Sequence, residues 1–369
     1  MIYMLCTLSG QHIPNLLSVH KYNPDILFLL ETKIMQSKRE PFLDALKLGG
    51  YDYSKPKHKV ISIDDEDNVD DLKSKLEEIY QKYNEGVWII NLNGGTKWIG
   101  VIQFDYFQNK GAQFIYTSHK DSNQFLQWGH KDPVYSAYRI SIKEFLKGYG
   151  FSLQKSKPFK TSDGILNLAI QIAQTMPDAD FLRLDREHWE NTRKKGRELK
   201  SGEFHVDSSE TKALIKNVFN LQQDENDNLV GHLSQEGGDF FTGGWLEIFM
   251  AGLLHRHAKE LEIWDLQTNI VIDKVTNELD VSFMHKNKFY IIECKSGDQS
   301  NDPKASILYK NSAIAKQFNA IGVQSIIATT TQNIMKEEQV DSYLQMRADL
   351  YKCLILTKKN IQDIAEHAD

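Results

Sequence analysis

Short apolar runs alternate with polar, helix-like segments through the first 150 residues of the chain. The strand candidates lie at 2–8, 25–30, 59–63 and 87–92. The run at 25–30 is apolar without alternation, as in strands that a parallel sheet buries on both faces. Helical spacing of apolar residues predicts helices from about 69 to 83 and from about 96 to 108. Strands that alternate with helices predict βαβ units and a mainly parallel, doubly wound sheet.

This pattern weakens between residues 151 and 234 and then resumes in a different order. The middle segment is largely polar, with one apolar helix at 165–176, and we interpret it as a connector that carries helices. The elements predicted beyond it are a helix at 240–261, strands at 270–274, 277–284 and 289–295, a helix at 304–320, a strand at 323–329, a helix at 337–350 and a strand at 353–357. We therefore predict two α/β units, residues 1–150 and 235–369, joined by the connector at 151–234.

The composition is that of a soluble globular protein. The chain has 369 residues, of which 41% are hydrophobic and 25% charged, so each unit can build a core. Apolar runs are shorter than the ~20 residues of a membrane span and no secretion signal is visible, which predicts no membrane partner and a cytoplasmic location. Cys6, Cys294 and Cys353 are too scattered for a disulfide framework. The net charge of -6 argues against binding nucleic acid through bulk charge, but allows a local basic channel.

A hairpin signal lies in the stretch NELDVSFMHKNKFYIIECK at 277–295. Asn tolerates the left-handed backbone of a two-residue turn, which predicts the turn on Lys286 and Asn287. Alternation then gives the hairpin one apolar face, which must meet the core. That face carries Leu279, Val281, Phe283, Tyr290, Ile292 and Cys294. The other face carries Glu278, Asp280, Glu293 and Lys295 at one end.

The predicted register sets Asp280 directly opposite Glu293, with Lys295 two residues further along the same face. Like charges with Cβ atoms about 5 Å apart repel, so these carboxylates need a cation between them to stay ionised in a partly enclosed site. Oxygen-only ligation suits Mg²⁺ or Mn²⁺, with water and a substrate phosphate in the remaining positions. Lys295 can hold the attacking water or stabilise charge on the reacting phosphate. The cluster predicts a metal-assisted phosphodiester hydrolase, and the alternative is a solvated cross-strand charge lattice.

A second candidate site follows the strand at 87–92. Its residues are Asn93, Gly94, Gly95, Thr96 and Lys97, together with Ser9, Gly10 and Gln11 after the first strand. Backbone N–H groups and a helix N-terminus attract phosphate where a strand gives way to a helix, and open α/β sheets bind ligands at this edge. The spacing is neither GxGxxG nor GxxxxGK[ST], so it fits a dinucleotide cofactor poorly and sets aside a P-loop NTPase. An ordinary strand-to-helix turn is the alternative.

Two motifs resemble known families. The strings ELDV and IIECKSG, with twelve residues between Asp280 and Glu293, resemble the core of the PD-(D/E)xK nucleases, although Leu279 stands where the motif name has Pro. In that superfamily an upstream helix often contributes another acid, and Glu247 in GGWLEIFM is the matching position. The strings TLSGQHIPN and NLNGGTKWIG, set in a βαβ domain, resemble CARF domains, the Rossmann-like sensors of cyclic oligoadenylates in type III CRISPR defence.

Together the two halves resemble the CARF-fused restriction-like nucleases. The resemblance implies an α/β fold, with an N-terminal Rossmann-like CARF domain of mainly parallel sheet and a C-terminal restriction-endonuclease-like α/β domain. It implies a homodimer that binds one cyclic oligoadenylate, with cyclic tetra-adenylate favoured and the ring size left open, and that then cuts single-stranded RNA or DNA. Asp280, Glu293 and the carbonyl of Cys294 would bind Mg²⁺ or Mn²⁺, Lys295 would orient the water, and Glu247 would support the metal or the water.

Two other functions remain open from the sequence. The first is a stand-alone restriction or repair nuclease on duplex DNA, with an unrelated N-terminal specificity domain and no need of a cyclic nucleotide. The second is a non-catalytic regulator that responds to a cyclic nucleotide and has a dead nuclease core. The intact set of Asp280, Glu293 and Lys295 argues against this second function.

Overall fold

Two large sheets, of seven and six strands, build two packed units with their helices, and two small sheets of three and two strands accompany them. The computed structural model describes residues 1–54, 57–118, 120–175, 192, 194–204, 206, 208–274, 278–296, 323–331, 334–336 and 339–368. The helix predicted at 304–320 lies outside these residues. Within the described ranges, no helix is both long and apolar enough to cross a membrane.

The N-terminal unit is built on a seven-stranded sheet. Its strands are β1 (Ile2–Thr7), β2 (Ile26–Thr32), β3 (His58–Ile63), β4 (Val87–Asn91), β5 (Gln113–Thr117), β6 (Gln124–Gln127) and β7 (Val134–Tyr135). Its helices are α1 (Ile13–Tyr22), α2 (Arg39–Leu48), α3 (Val69–Lys82), α4 (Lys97–Phe107) and α5 (Ile142–Gly148), with a 3-10 helix at Lys33–Lys38. The strand order is β3-β2-β1-β4-β5-β6-β7; β1 to β5 are parallel to one another, and β6 runs antiparallel to both β5 and β7.

The predicted βαβ pattern of this unit is confirmed, because all four predicted strands and both predicted helices are present. The chain leaves β1 to one side for β2 and β3, and returns to the other side for β4 and β5. The carboxyl ends of β1 and β4 therefore meet at a topological switch point, where open α/β sheets bind ligands. The sequence missed β5, β6 and β7, which are too short and too mixed in polarity to show a period.

The C-terminal unit is built on a six-stranded sheet. The remaining strands are β8 (Leu153–Pro158), β9 (Arg197–Leu199), β10 (Gln222–Gln223), β11 (Leu229–Leu233), β12 (Ile263–Ile272), β13 (Glu278–His285), β14 (Lys288–Lys295), β15 (Val323–Thr329), β16 (Met335–Lys336), β17 (Gln339–Val340) and β18 (Cys353–Leu356). The remaining described helices are α6 (Asp163–Thr175), α7 (Ser209–Phe219), α8 (Gln235–Asp239), α9 (Trp245–Arg256), α10 (Ser342–Leu350) and α11 (Lys358–Glu366). The sheet order is β18-β15-β14-β13-β12-β8.

Several boundaries differ from the prediction in this unit. The helix predicted at 240–261 is a π-helical turn at Phe240–Gly244 followed by α9, which ends at Arg256. The next strand begins at Ile263 rather than at 270, because half-buried polar residues in its first part hide the strand period. The helix predicted at 337–350 begins at Ser342, since β17 precedes it, and the sequence missed α11.

Two elements of the segment predicted as a connector pack within the C-terminal unit. Strand β8 pairs with β12 at the edge of the six-stranded sheet. Helix α6 packs on α9 and α11, and its Leu166 lies against Gly252 of α9. Residues of α6 and α9 share one hydrophobic core with Val281, Phe283 and Ile292 of the hairpin. The first part of the segment 151–234 therefore belongs to the C-terminal sheet and to the helices that pack on it.

A second hydrophobic core is shared by the two units. It joins Leu16 and Phe145 of the N-terminal unit to Ile270, Phe289 and Ile291 of the C-terminal sheet. Leu279, predicted to meet the core with Val281 and Phe283, is fully buried, but it packs in this shared core while they pack in the first one. Both faces of the β13–β14 hairpin are consequently covered. The hairpin thus lies between the helical layer of its own unit and the N-terminal unit.

Candidate functional site

The loop that joins β4 to α4 lies at the carboxyl edge of the N-terminal sheet, beside the end of β1. Gly94 and Gly95 have φ of 93° and 68°. A Cβ atom at Gly94 would lie 2.3 Å from the carbonyl oxygen of Thr7, so only glycine allows this approach. Thr96 caps α4 by accepting a hydrogen bond from the N–H of Ile99. The loop therefore turns its backbone tightly against β1 and starts a helix at once.

Buried, uncharged side chains hold this loop in place. Asn91 donates to Asn15 Oδ1 at 2.8 Å and to Ser18 Oγ at 3.0 Å. Asn91 Oδ1 accepts from the N–H of Asn93 at 3.0 Å. Asn93 Oδ1 in turn accepts from the N–H of Thr117 at 2.6 Å, at the end of β5. Since these buried polar atoms have hydrogen-bond partners, the network fixes the loop without leaving its desolvation uncompensated.

A cavity of about 560 Å³ opens beside the loop. Six of the eight residues predicted for this site form part of its wall, namely Gln11, Asn93, Gly94, Gly95, Thr96 and Lys97. The other wall residues are Pro14, Leu92, Gly100, Val101, Phe104, Tyr116 and Trp128. The remaining two predicted residues, Ser9 and Gly10, are not among them. Ser9 Oγ bonds to the N–H and the carbonyl of Gln11, both at 3.1 Å, and so shapes the turn that presents Gln11.

Aromatic residues that sequence analysis missed form one side of this cavity. The rings of Phe104 and Trp128 meet edge to face with their centroids 5.0 Å apart, and Trp128 is 70% exposed. Trp128 follows β6, a four-residue strand with no visible period, so no spacing rule could have found it. Backbone N–H groups and Lys97 on one side and aromatic rings on the other suit a ligand that carries both phosphates and bases.

The hairpin β13–β14 has the predicted turn and register. Lys286 and Asn287 form the turn, with φ of 48° and 54°. Val281 pairs with Ile292, which is the predicted alignment. Strand β14 then continues the sheet as the parallel neighbour of β15. The hairpin is therefore a central pair of the C-terminal sheet, and its carboxylates are set at the end away from the turn.

Asp280, Glu293 and Lys295 are brought together at this end. Asp280 Oδ2 accepts a hydrogen bond from the N–H of Cys294 at 2.7 Å, which ties the carboxylate to β14. Lys295 Nζ lies 2.8 Å from Oε1 of the fully buried Glu293. Burial acts to lower the pKa of Lys295, but the charge and hydrogen bond of Glu293 and the charge of Asp280 act against it, and the pKa is raised. Lys295 thus remains a cation beside a buried carboxylate.

Glu247 adds a third acid to this cluster, as predicted from the motif position. It lies in the first turn of α9, a helix that packs against β13 and β14. Burial raises the pKa of Glu247 to about 8; the negative charge of Asp280 adds to the rise, and Lys295 opposes it. Glu247 therefore holds a proton at neutral pH in this arrangement. Burial is the largest cause of this rise, and the nearby carboxylates of Asp280 and Glu293 add to it.

The chemistry of these donors fits a hard divalent cation. Asp280 and Glu293 offer carboxylate oxygens, and an added cation would relieve the charge repulsion that, after burial, adds to the raised pKa of Glu247. Within the described ranges, no group of three or more His, Cys, Asp and Glu side chains is already arranged to hold a metal ion. Two side chains, the main-chain carbonyl of Cys294, water and a substrate phosphate would therefore have to share the coordination shell.

Comparison with protein families assigns both units. Residues 3–145 match the family described as the Card1 CARF domain. Residues 234–361 match the family described as the Card1-like endonuclease domain. Together the two matches cover well over half of the chain. A comparison with curated protein sequences gave no match.

Solved structures share this fold at low sequence identity. Can2 from Sulfobacillus thermosulfidooxidans, in complex with cyclic tetra-adenylate, matches with a TM-score of 0.72 and 19% identity over 100% of this chain and 98% of its own. Protein VC1899 from Vibrio cholerae matches with a TM-score of 0.79 and 15% identity, over 99% of this chain and 96% of its own.

A third solved structure is a type III CRISPR defence DNA nuclease activated by cyclic oligoadenylate. It matches with a TM-score of 0.56 and 13% identity over 95% of this chain, which spans about half, 51%, of that protein. These likenesses establish the two-unit fold, and the family matches establish what each unit is. The chain therefore belongs to the CARF-fused nucleases, with a Card1-type CARF domain followed by a Card1-like endonuclease domain.

Proposed function

We propose that this protein is a metal-dependent endonuclease of type III CRISPR defence that cuts single-stranded RNA or DNA when a cyclic oligoadenylate binds its CARF domain. The observation that carries this proposal is that one chain holds both a CARF cavity and an Asp-Glu-Lys hairpin, joined through a shared core. Neither feature alone distinguishes this function from the two alternatives that the sequence leaves open.

The CARF cavity is the proposed activator site. Its loop offers backbone N–H groups, the N-terminus of α4 and Lys97 to phosphates, and Phe104 and Trp128 to bases. Cyclic tetra-adenylate is the favoured activator, and the complex of Can2 with that molecule supports this choice. The wall residues Gln11, Asn93 and Lys97 are the polar contacts that we propose for it.

We propose that two chains enclose one activator. The cavity wall includes the exposed apolar residues Val101 and Trp128, and Trp98 of α4 and Leu126 of β6 are exposed as well. Phe104 of α4 contacts Trp128, so these exposed side chains stand on adjoining elements, as they do in an association surface. A cyclic ligand with twofold symmetry suits two identical subunits whose contact is symmetric. The homodimer would thereby bury the apolar surface and close the cavity over the ligand.

The hairpin is the proposed site of phosphodiester hydrolysis. Bound Mg²⁺ or Mn²⁺ would polarise the scissile phosphate and lower the pKa of the attacking water. Asp280, Glu293 and the carbonyl of Cys294 would hold this ion. Lys295, kept cationic by Glu293, orients the water and stabilises negative charge on the reacting phosphate. Glu247, whose pKa is raised in the arrangement without a metal, would be favoured as a carboxylate by the bound cation and would support the water or the metal.

A cleavage assay tests the proposed function. The full chain is incubated with Mg²⁺ or Mn²⁺ and labelled single strands or duplex DNA, with cyclic tetra-adenylate, cyclic hexa-adenylate or no activator. We expect metal-dependent cleavage of single strands that appears only with a cyclic oligoadenylate. Sedimentation of the same samples tests the homodimer.

The outcomes separate the proposal from its alternatives. Site-preferring cleavage of duplex DNA that ignores both activators would indicate a stand-alone restriction or repair nuclease. Tight binding of an activator without cleavage of any substrate, with either metal, would indicate a non-catalytic regulator. Each of these results would overturn the proposed function.

A further inference from the structure

The tip of the catalytic hairpin is buried in the N-terminal unit. Asn287, the second residue of its turn, is 1% exposed, although turn residues usually lie at the protein surface. Glu293 lies six positions after Asn287 in the chain, or roughly 20 Å along β14 at the rise of an extended strand. The hairpin therefore reaches from the CARF domain at one end to the acidic cluster at the other.

The side-chain amide of Asn287 bonds to three groups of the CARF side. Its Oδ1 accepts from the N–H of Ile140 at 2.7 Å. Its Nδ2 donates to the carbonyl of Tyr138 at 3.0 Å and to Oδ1 of Asn123. Among side chains of this size, only an amide accepts one hydrogen bond and donates two, and Asn also tolerates the left-handed turn. The turn requires only a residue that tolerates the left-handed backbone, so the three hydrogen bonds of the amide serve another purpose.

The segment that Asn287 holds is fixed by the neighbouring strand as well. Trp264 of β12 donates through Nε1 to the carbonyl of Ile140 at 2.7 Å. The Asp265 carboxylate accepts from the N–H of Ile142 at 2.6 Å. These bonds attach the C-terminal sheet to residues 140–142 but reach no residue of the cavity wall. Residues 140–142 are therefore held to the C-terminal sheet while Asn123 can move relative to them.

Asn123 leads directly to the activator cavity. It lies in the connection between β5 and β6. Strand β5 ends at Thr117, whose N–H donates to the side chain of Asn93 at 2.6 Å. Asn93 is a wall residue of the cavity. The cavity and the hairpin tip are thus linked by the end of β5 and the connection from β5 to β6. The side-chain amide of Asn93 bonds to this link at the cavity, and the side-chain amide of Asn287 bonds to it at Asn123.

We propose that Asn287 is a positioning residue that couples the CARF cavity to the catalytic hairpin, by fixing the hairpin tip to the connection that follows β5. The inference rests on the proposed function. A ligand that displaces Asn93 or the end of β5 moves Asn123, and through the Asn287 amide this displacement tilts the hairpin that carries Asp280, Glu293 and Lys295. Coupling of this kind requires only that the bonded tip occupy different positions with and without the activator.

The variant Asn287→Gly tests this proposal, with Lys286→Gly as its matched control. Both substitutions place glycine in the same turn at positive φ, where glycine is tolerated, but Lys286 is exposed and only Asn287→Gly removes the three amide bonds. For each protein we would measure the affinity for cyclic tetra-adenylate by calorimetry. We would also measure kcat and KM for a labelled single strand, with and without that activator.

We expect Asn287→Gly to bind cyclic tetra-adenylate and substrate as the unaltered protein does, while the ratio of activated to basal kcat falls by about tenfold or more. Lys286→Gly should keep the full ratio. Asn123→Ala should reduce the ratio as well, and Asn123→Asp should restore it, because the carboxylate still accepts the hydrogen bond from Asn287. This second pair decides the question should Asn287→Gly fail to fold.

An activation ratio in Asn287→Gly, or in Asn123→Ala, equal to that of Lys286→Gly would overturn the proposal while leaving the proposed function intact. Parallel loss of activator binding and activation would also overturn it, since the amide would then support the cavity rather than couple it. Absence of activation in the unaltered protein would instead refute the proposed function, and the inference would fall with it.

Discussion

The sensor loop after β4 and the far end of the β13–β14 hairpin both place buried polar side chains at strand ends, but they do so with opposite electrostatics. The loop is held by the neutral amides of Asn91 and Asn93, bonded to one another and to their neighbours. The hairpin end gathers Glu293, Lys295 and the other acids, and the pKa of Glu247 rises there to about 8. The first arrangement fixes a shape, and the second keeps unbalanced charge.

This difference follows from what each site has to do. Neutral, mutually bonded groups cost little to bury and keep a cavity in one shape before its ligand arrives. Buried acids repel one another, and that repulsion persists unless a cation binds among them. Removing charge from the hairpin should therefore lower the rate of cleavage, whereas adding charge to the Asn91–Asn93 network should lower the free energy of unfolding. The predictions below test this contrast.

The largest effect is expected for Glu293→Gln. The substitution keeps the shape of the buried side chain but removes the negative charge that holds Lys295 and the proposed metal ion. Activated cleavage should fall by about 1000-fold, and binding of cyclic tetra-adenylate should not change, because Glu293 is not part of the cavity wall. Cleavage kinetics and calorimetry measure the two quantities. Glu260→Gln, an exposed acid of the same unit, is the control. Activity close to that of the control would refute the assigned role of Glu293.

The converse change is Asn91→Asp in the sensor. It places a carboxylate in a fully buried position where the amide donates two hydrogen bonds. The free energy of unfolding at pH 7 should fall by about 3 kcal/mol, because an uncompensated charge is buried. Burial raises the folded-state pKa of such a carboxyl, so the loss should shrink as the pH falls and the group takes up a proton. Urea unfolding at pH 7 and pH 5 measures this.

The exposed residue Asn226 supplies the control for that experiment. Asn226→Asp makes the same chemical change at the surface and should alter the free energy of unfolding by well under about 1 kcal/mol. Equal stability of the two variants would mean that the sensor network tolerates charge. The contrast between the two sites would then be wrong.

A smaller effect is expected for Gly94→Ala. The added Cβ would meet the Thr7 carbonyl oxygen at 2.3 Å, and the residue has φ of 93°, so the loop must move. The affinity for cyclic tetra-adenylate should fall by about tenfold, consistent with backbone strain of about 1–3 kcal/mol. Gly111→Ala is the matched control, since Gly111 also has a positive φ of 70°, lies outside the cavity wall and has nothing within 4 Å of an added Cβ. Equal affinities in the two variants would show that the loop shape does not define the cavity.

Much of the fold could be predicted because local patterns coincide with the final packing. The run at 25–30, apolar after Asp25, became β2, which is paired on both sides, and the Lys286-Asn287 turn set the register that pairs Val281 with Ile292. Prediction failed where tertiary contacts override the local pattern. The strand β12 begins seven residues before its prediction, and Leu279 joins the core shared with the CARF domain. Neither the early start of β12 nor the packing of Leu279 is marked by a hydrophobic period in the sequence.

The candidate site divides in the same way. Asp280, Glu293 and Lys295 could be identified because a hairpin register fixes which residues lie across from one another. The loop Asn93–Lys97 could be identified because it stands at a strand-to-helix junction. The aromatic wall at Trp128 could not, since it depends on how short antiparallel strands fold back beside α4. The hydrogen bonds of the Asn287 side chain join residues far apart in the chain, which no local pattern indicates.

The sequence by itself determined the two α/β units, the hairpin register and the residue types at both sites, since strand alternation, turn chemistry and helix capping act over a few residues. Only the tertiary structure decided that the hairpin is covered on both faces, that Glu247 becomes buried enough to hold a proton, and that Asn287 enters the CARF domain. These features arise from burial and from contacts between distant segments. These contacts, and the stabilisation that they give, form only when the two units pack together.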